Sequence, residues 1–211
     1  GTFLHQDSHG GGGVITNGDT QWMTAGSGLL HIETPPAELV ESGGMFHGVQ
    51  LWVNLPARDK MTAPRYQEFG PERIPVVRPA EGVEVRVIAG EVDGVAGPIA
   101  QPATDPLYLD LALDAGRDWT HLLPEGHNAF VYVYEGALTV GEGDDARPLS
   151  AQELAVLGGG DVLRLRADVA TRAIIVAGRP LREPVARHGP FVMNTREELM
   201  QAFVDFQEGR F

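Results

Sequence analysis

Two residues in the stretch QWMTAGSGLLHIET, His31 and Glu33, have the types and spacing to do chemistry together. On a strand, residues two apart point to the same face, so the imidazole and the carboxylate project side by side while Ile32 turns away. Nitrogen and carboxylate oxygen together suit a divalent transition metal such as iron, manganese, nickel or copper. The pair fills only two coordination positions. Taken alone, it reads more simply as two exposed polar residues on an edge strand.

The rest of the chain narrows the chemistry. There is no cysteine, so disulfides, thiolate metal sites and cysteine nucleophiles are excluded, and any metal must be held by His, Asp, Glu and water. His5 and His9 flank a glycine-rich loop and are expected in solvent. His47 lies in an apolar run and is expected to be a hydrogen-bonded core residue. His121 and His127 have no carboxylate or His partner two residues on. The glycines at 10–13 lack the Gly-Lys-Ser/Thr of a phosphate loop.

The elements that must position His31 and Glu33 are short strands. Twenty-seven glycines and 15 prolines in 211 residues favour many strands with tight turns over long helices. GTFLH, VITNGD, TQWMTA and LLHIE read as successive strands around turns. MFHGVQLWVNLP (45–56) has the β-branched and aromatic content of a buried strand. The Pro-rich segment 71–82 reads as a linker between a first domain, 1–70, and a second, 83–211. In the second domain VEVRVIAGEV and LYLDLALDAG alternate, and FVYVYEGALTVG reads as a hairpin turning at Glu135-Gly136. Only the C-terminus reads as a helix. Thr195 and Glu198 have capping-box spacing, Leu199, Phe203 and Phe206 share a face, and Gly209 marks the stop. The sequence thus predicts an all-β protein of two barrels or sandwiches with one short C-terminal helix.

Charge limits the partners. The formal net charge is −13 and the pI about 4.8, which repels phosphate backbones and argues against direct nucleic-acid binding. Such a surface suits a partner with a basic patch. No apolar run approaches the roughly 20 residues that span a bilayer, so no membrane partner is expected. A cytoplasmic location is expected, and the chain begins without an initiator methionine or a signal-like segment.

GDTQWMTAGSGLLH (18–31) resembles the second cupin motif, with Thr24 at the usual Pro position and the His two residues late. The longer pattern GDxQWMTAGxGxxHxE resembles the pirin family of bicupins. HGVQLWVNLP (47–56), YQE (66–68), VLGGGD (156–161) and GRPLREPVARHGPFVMNTREEL (178–199) are similar to further pirin signatures in the same order. The resemblance implies two tandem cupin barrels with one mononuclear metal in the first, usually Fe(II), with Mn, Ni, Cu or Zn as other candidates. It implies three His ligands and one Glu, of which His31 and Glu33 match the third His and the Glu.

The first two His belong to an HPHRGFET-type motif expected upstream of Gly1. The first barrel is therefore expected to be incomplete in this chain, with its own cleaved N-terminal segment as a candidate partner. In the second barrel the ligand positions of a cupin fall at about Leu123, Glu125 and Ala129, so that barrel is expected to be metal-free and structural. Two functions are compatible with the resemblance. One is a dioxygenase of quercetin-type flavonols, with Glu33 as general base for the flavonol hydroxyl. The other is a non-enzymatic, iron- and redox-responsive regulator that binds a transcription factor or a metabolic enzyme.

Overall fold

The computed structural model describes residues 1–101 and 103–211. Its contacts divide the chain into Gly1–Pro71 with Leu181–Phe211, and Glu72–Pro180. In the first unit, β1 (Phe3–Asp7), β2 (Gly12–Ile15) and β4 (His31–Thr34) form an antiparallel sheet in the order β2-β1-β4. β3 (Thr20–Thr24) pairs instead with β5 (Arg65–Phe69), and a short helix α1 (Ala37–Ser42) follows β4.

The segment 45–56, read as a buried strand, forms none. Met45, Phe46, Val49, Trp52 and Val53 are exposed. Strand propensity is realised only where an edge is available to pair and a core to bury one face. Among the described residues this run has no ladder partner. His47, expected in the core, is exposed with it.

The second unit has two sheets. Six strands run in the order β15-β12-β17-β10-β7-β6: β6 (Val76–Ala80), β7 (Val83–Ala89), β10 (Leu107–Leu113), β12 (Asn128–Glu135), β15 (Leu154–Val156) and β17 (Thr171–Gly178). A small ribbon, β8 (Glu91–Val92) with β9 (Val95–Ala96), follows β7. Four strands form the other sheet, β11-β16-β13-β14: β11 (Arg117–Leu122), β13 (Ala137–Val140), β14 (Arg147–Ser150) and β16 (Val162–Ala167). Alternating side chains from both sheets make one apolar core. Val83, Val85 and Val87, Leu107, Leu109, Leu111 and Leu113, and Val131 and Val133 come from the larger sheet; Trp119, Leu138, Leu163 and Leu165 come from the smaller. Each buried side chain of this kind contributes about 1.5–3 kcal/mol relative to exposure.

Two expectations change here. Residues 76–80, read as linker, are a strand at the edge of the larger sheet, where Pro79 costs no ladder bond and a register shift between Val77 and Ala80 absorbs it. The stretch read as a hairpin at Glu135-Gly136 is not one. β12 pairs with β15 and β17, whereas β13 pairs with β14 and β16, so Gly136 is the corner where the chain passes from one sheet to the other. Its φ of 78° lies in the left-handed region, and a Cβ there would run into the Ala170 carbonyl oxygen.

The C-terminal tail, read as part of the second barrel, groups with the first unit. It forms a hairpin of β18 (Ala186–His188) and β19 (Phe191–Met193), then α2 (Arg196–Gln207). Thr195 and Glu198 close the capping box, and Leu199 is buried. Polar anchors join the tail to residues 54–60. Glu183 accepts from the Ala57 amide at 2.7 Å, and Lys60 Nζ donates to Val192 O at 3.1 Å and to Asn54 Oδ1 at 2.6 Å. Lys60 is buried; desolvation lowers its pKa, against the pull of Glu183 and Glu198.

Candidate metal centre

His31 and Glu33 open and continue β4, an edge strand none of whose four residues is buried. The strand places them on one face, with His31 Nδ1 3.8 Å from Glu33 Oε1 and the side chains 30% and 28% exposed. Both are therefore reachable from solvent. Gln50 donates to the other carboxylate oxygen, Glu33 Oε2, at 3.2 Å, which leaves Oε1 turned toward the imidazole. Gln50 comes from the apolar segment that forms no strand, so that segment still contributes to the site.

The antiparallel register of β1 against β4 brings two further polar residues to this face. His5 lies opposite Glu33, and Asp7 lies opposite His31. His5, expected in solvent, is only 5% exposed. Its Nε2 is 3.4 Å from Glu68 Oε1, and Gln21 Nε2 lies 3.1 Å from Nε2 and 3.3 Å from Nδ1 of the ring. Gln21 also donates to Glu68 at 2.7 Å. Gln21 and Glu68 are themselves opposed across the β3–β5 ladder. His9, expected in solvent, is exposed.

Asp7 Oδ1 accepts from the amides of His9 and Gly11, and these bonds hold its carboxyl below the usual range. Tyr66 lies on the same face of β5 as Glu68. Burial, then the carboxylates of Asp7, Glu68 and Glu33, push its phenol up to about 12. Asp7 is close enough to act on that hydroxyl, although among the described residues no acceptor meets it with full hydrogen-bond geometry.

A metal requires more than this pair provides. His31 and Glu33 fit two corners of a divalent-metal coordination sphere in donor type, spacing and access. Among the described residues no group of three or more His, Cys, Asp or Glu side chains is placed to hold an ion. Sequence reasoning placed the two donors on one face but missed the supporting residues His5, Gln21 and Glu68. The available signal was the run of glycines: Gly13 lies opposite His5 on β2, and a Cβ on Gly13 would lie 2.8 Å from His5 Nε2.

Of the three cupin ligand positions expected in the second unit, two hold apolar packing. Leu123 and Ala129 belong to the buried core, and Glu125 is exposed. His127 Nε2 pairs with Asp105 at 3.5 Å, and His121 stacks on Trp119 with ring centres 5.1 Å apart. Burial lowers the pKa of both imidazoles, partly offset by Asp93 at His121 and Asp105 at His127.

Comparison with known proteins fixes the family. The pirin family model matches residues 1–53, and the pirin C-terminal cupin domain model matches residues 108–211. A pirin-like protein of Caulobacter vibrioides is 49% identical over 212 residues, covering 100% of this chain and 74% of its own. The chain belongs to the pirin family. Pirin of Mus musculus is 43% identical over 213 residues, covering 100% of this chain and 71% of the mouse protein. The crystal structure of a quercetin 2,3-dioxygenase from Acinetobacter baumannii superposes with a TM-score of 0.93 at 43% identity, covering 100% of this chain and 73% of that one. The tandem cupin β fold expected of a pirin is therefore the fold of this chain.

Proposed function

We propose that this pirin uses His31 and Glu33 as two of the protein ligands of a single divalent metal, iron first among the candidates, and that the centre acts on flavonols with dioxygen. The observation that carries the reading is the His31–Glu33 pair itself, solvent-accessible, on one face of β4, with Gln50 holding one carboxylate oxygen. The similarity to a protein named as a quercetin 2,3-dioxygenase supports the substrate class. A bound divalent metal would supply Lewis acidity and a route to dioxygen. The chain's own part is to present and neutralise. Glu33 Oε1, free of the Gln50 bond, is the base that takes the flavonol hydroxyl proton. His31 contributes a nitrogen donor beside it.

The test combines metal analysis with oxygen uptake. The full-length protein, in which further ligands would complete the pair, is expected to bind one equivalent of iron or another divalent metal and to consume oxygen with quercetin. His31→Ala and Glu33→Gln are expected to abolish both. Stoichiometric metal without oxygen uptake would favour the regulatory reading, in which the loaded site shapes a protein-binding surface. No stoichiometric metal in the full-length protein would sink the metal centre.

A further inference from the structure

The strand that carries both donors is weakly anchored. Among the described residues β4 pairs only with β1, and none of its residues is buried, so apolar packing does not fix it. Apart from the Gln50 bond to Glu33, what orients the strand carrying His31 and Glu33 acts through β1. One side chain on β1 is placed to do this. His5 sits in the middle of the three-stranded sheet, flanked in register by Gly13 of β2 and Glu33 of β4. It is the one residue of β1 that is buried. Its ring crosses to the β3–β5 sheet, where it meets the mutually hydrogen-bonded Gln21 and Glu68, with the Tyr66 ring 6.0 Å away. The space for the ring exists because residue 13 has no side chain.

We propose that His5 is the positioning residue of the candidate centre, clamping β1, and with it the His31–Glu33 strand, against the β3–β5 sheet. Its consequence for metal affinity rests on the metal reading above; the clamp itself does not. Partners that orient metal ligands without touching the metal are commonly worth 10- to 100-fold in affinity, so a loss of about 10-fold is expected when the clamp is removed.

Co(II) is the probe, followed by its visible spectrum and by chelator competition. His5→Ala is expected to weaken Co(II) about 10-fold and to alter the spectrum. His5→Gln, which keeps a polar group of similar reach, restores most of the affinity. Gly13→Ala leaves the imidazole in the chain but displaces it, and reproduces the loss. In the double variant the Gly13→Ala effect disappears, because nothing remains to be displaced. Should His5→Ala fail to fold, Gly13→Ala and His5→Gln carry the test. Wild-type affinity in His5→Ala or in Gly13→Ala, or losses that simply add in the double variant, would overturn the assignment. If the wild-type protein binds no Co(II), the metal reading falls separately, and hydrogen exchange of the amides of His31–Thr34 decides. Faster exchange in His5→Ala and Gly13→Ala, but not in His5→Gln, sustains the clamp, and unchanged exchange removes it.

Discussion

At the scale of single residues, the chain separates the proposed donors from their proposed support. His31 and Glu33 are open to solvent and chemically ordinary; what distinguishes them is their common face and the single Gln50 bond on Glu33. The residue opposite Glu33 on β1, His5, is buried and polar, and a buried polar group is stable only when partnered. Gln21 and Glu68 supply those partners from a separate ladder. Glycine matters where a side chain cannot fit. Gly136 turns the corner between the sheets of the second unit at a φ of 78°. Gly136→Ala combines left-handed strain with collision against Ala170, and is expected to destabilise that unit by about 2 kcal/mol or more, read as a lower denaturation midpoint. Gly116→Ala is the control, since its φ of 76° carries similar strain but no atom lies within 4 Å of the added Cβ.

At the scale of elements, the C-terminal helix is the clearest case of sequence dictating structure. Thr195 accepts from the Glu198 amide at 3.2 Å, and Glu198 accepts from the amides of Thr195 and Asn194, each at 2.9 Å. Those two backbone bonds hold the Glu198 carboxyl below its ordinary 4.5. The folded state therefore binds this proton less readily than the unfolded chain. The stabilisation is complete above pH 4.5 and is lost as pH falls through the folded value. Glu198→Gln is expected to lower the denaturation midpoint at pH 7, with the difference shrinking as pH falls below 4.5; a constant difference at all pH values would contradict the capping assignment. The strands behave less locally. The 45–56 run and the 76–80 run exchange their expected roles. The apolar run stays outside any ladder while the Pro-rich one becomes an edge strand, because pairing depends on which edge is vacant.

At the scale of the whole molecule, the two units are expected to respond to acid in different windows. In the unit Glu72–Pro180, burial lowers the pKa of His121 and His127 from 6.5, so the unfolded chain takes up those protons first and stability falls as pH drops below 6.5. In the other unit the lowered carboxyls of Asp7, Glu198 and Asp205 place the loss below about 4.5. The double variant His121→Gln/His127→Gln is expected to flatten this unit's loss of stability below pH 6.5, read by hydrogen exchange of its core amides.

The sequence by itself determined the all-β class, the alternating core strands, the capped helix and the common face of His31 and Glu33. These follow from periodicities of two and 3.6 residues and from contacts a few residues apart. Only the tertiary structure decided that His5 is buried beside Glu33, that Glu135-Gly136 is a corner between sheets, and that the tail joins the first unit through Lys60 and Glu183. Each of these rests on residues 16 to 132 positions apart in the chain. Local propensity cannot encode such pairings, because they are chosen by competition among all available edges and partners at once.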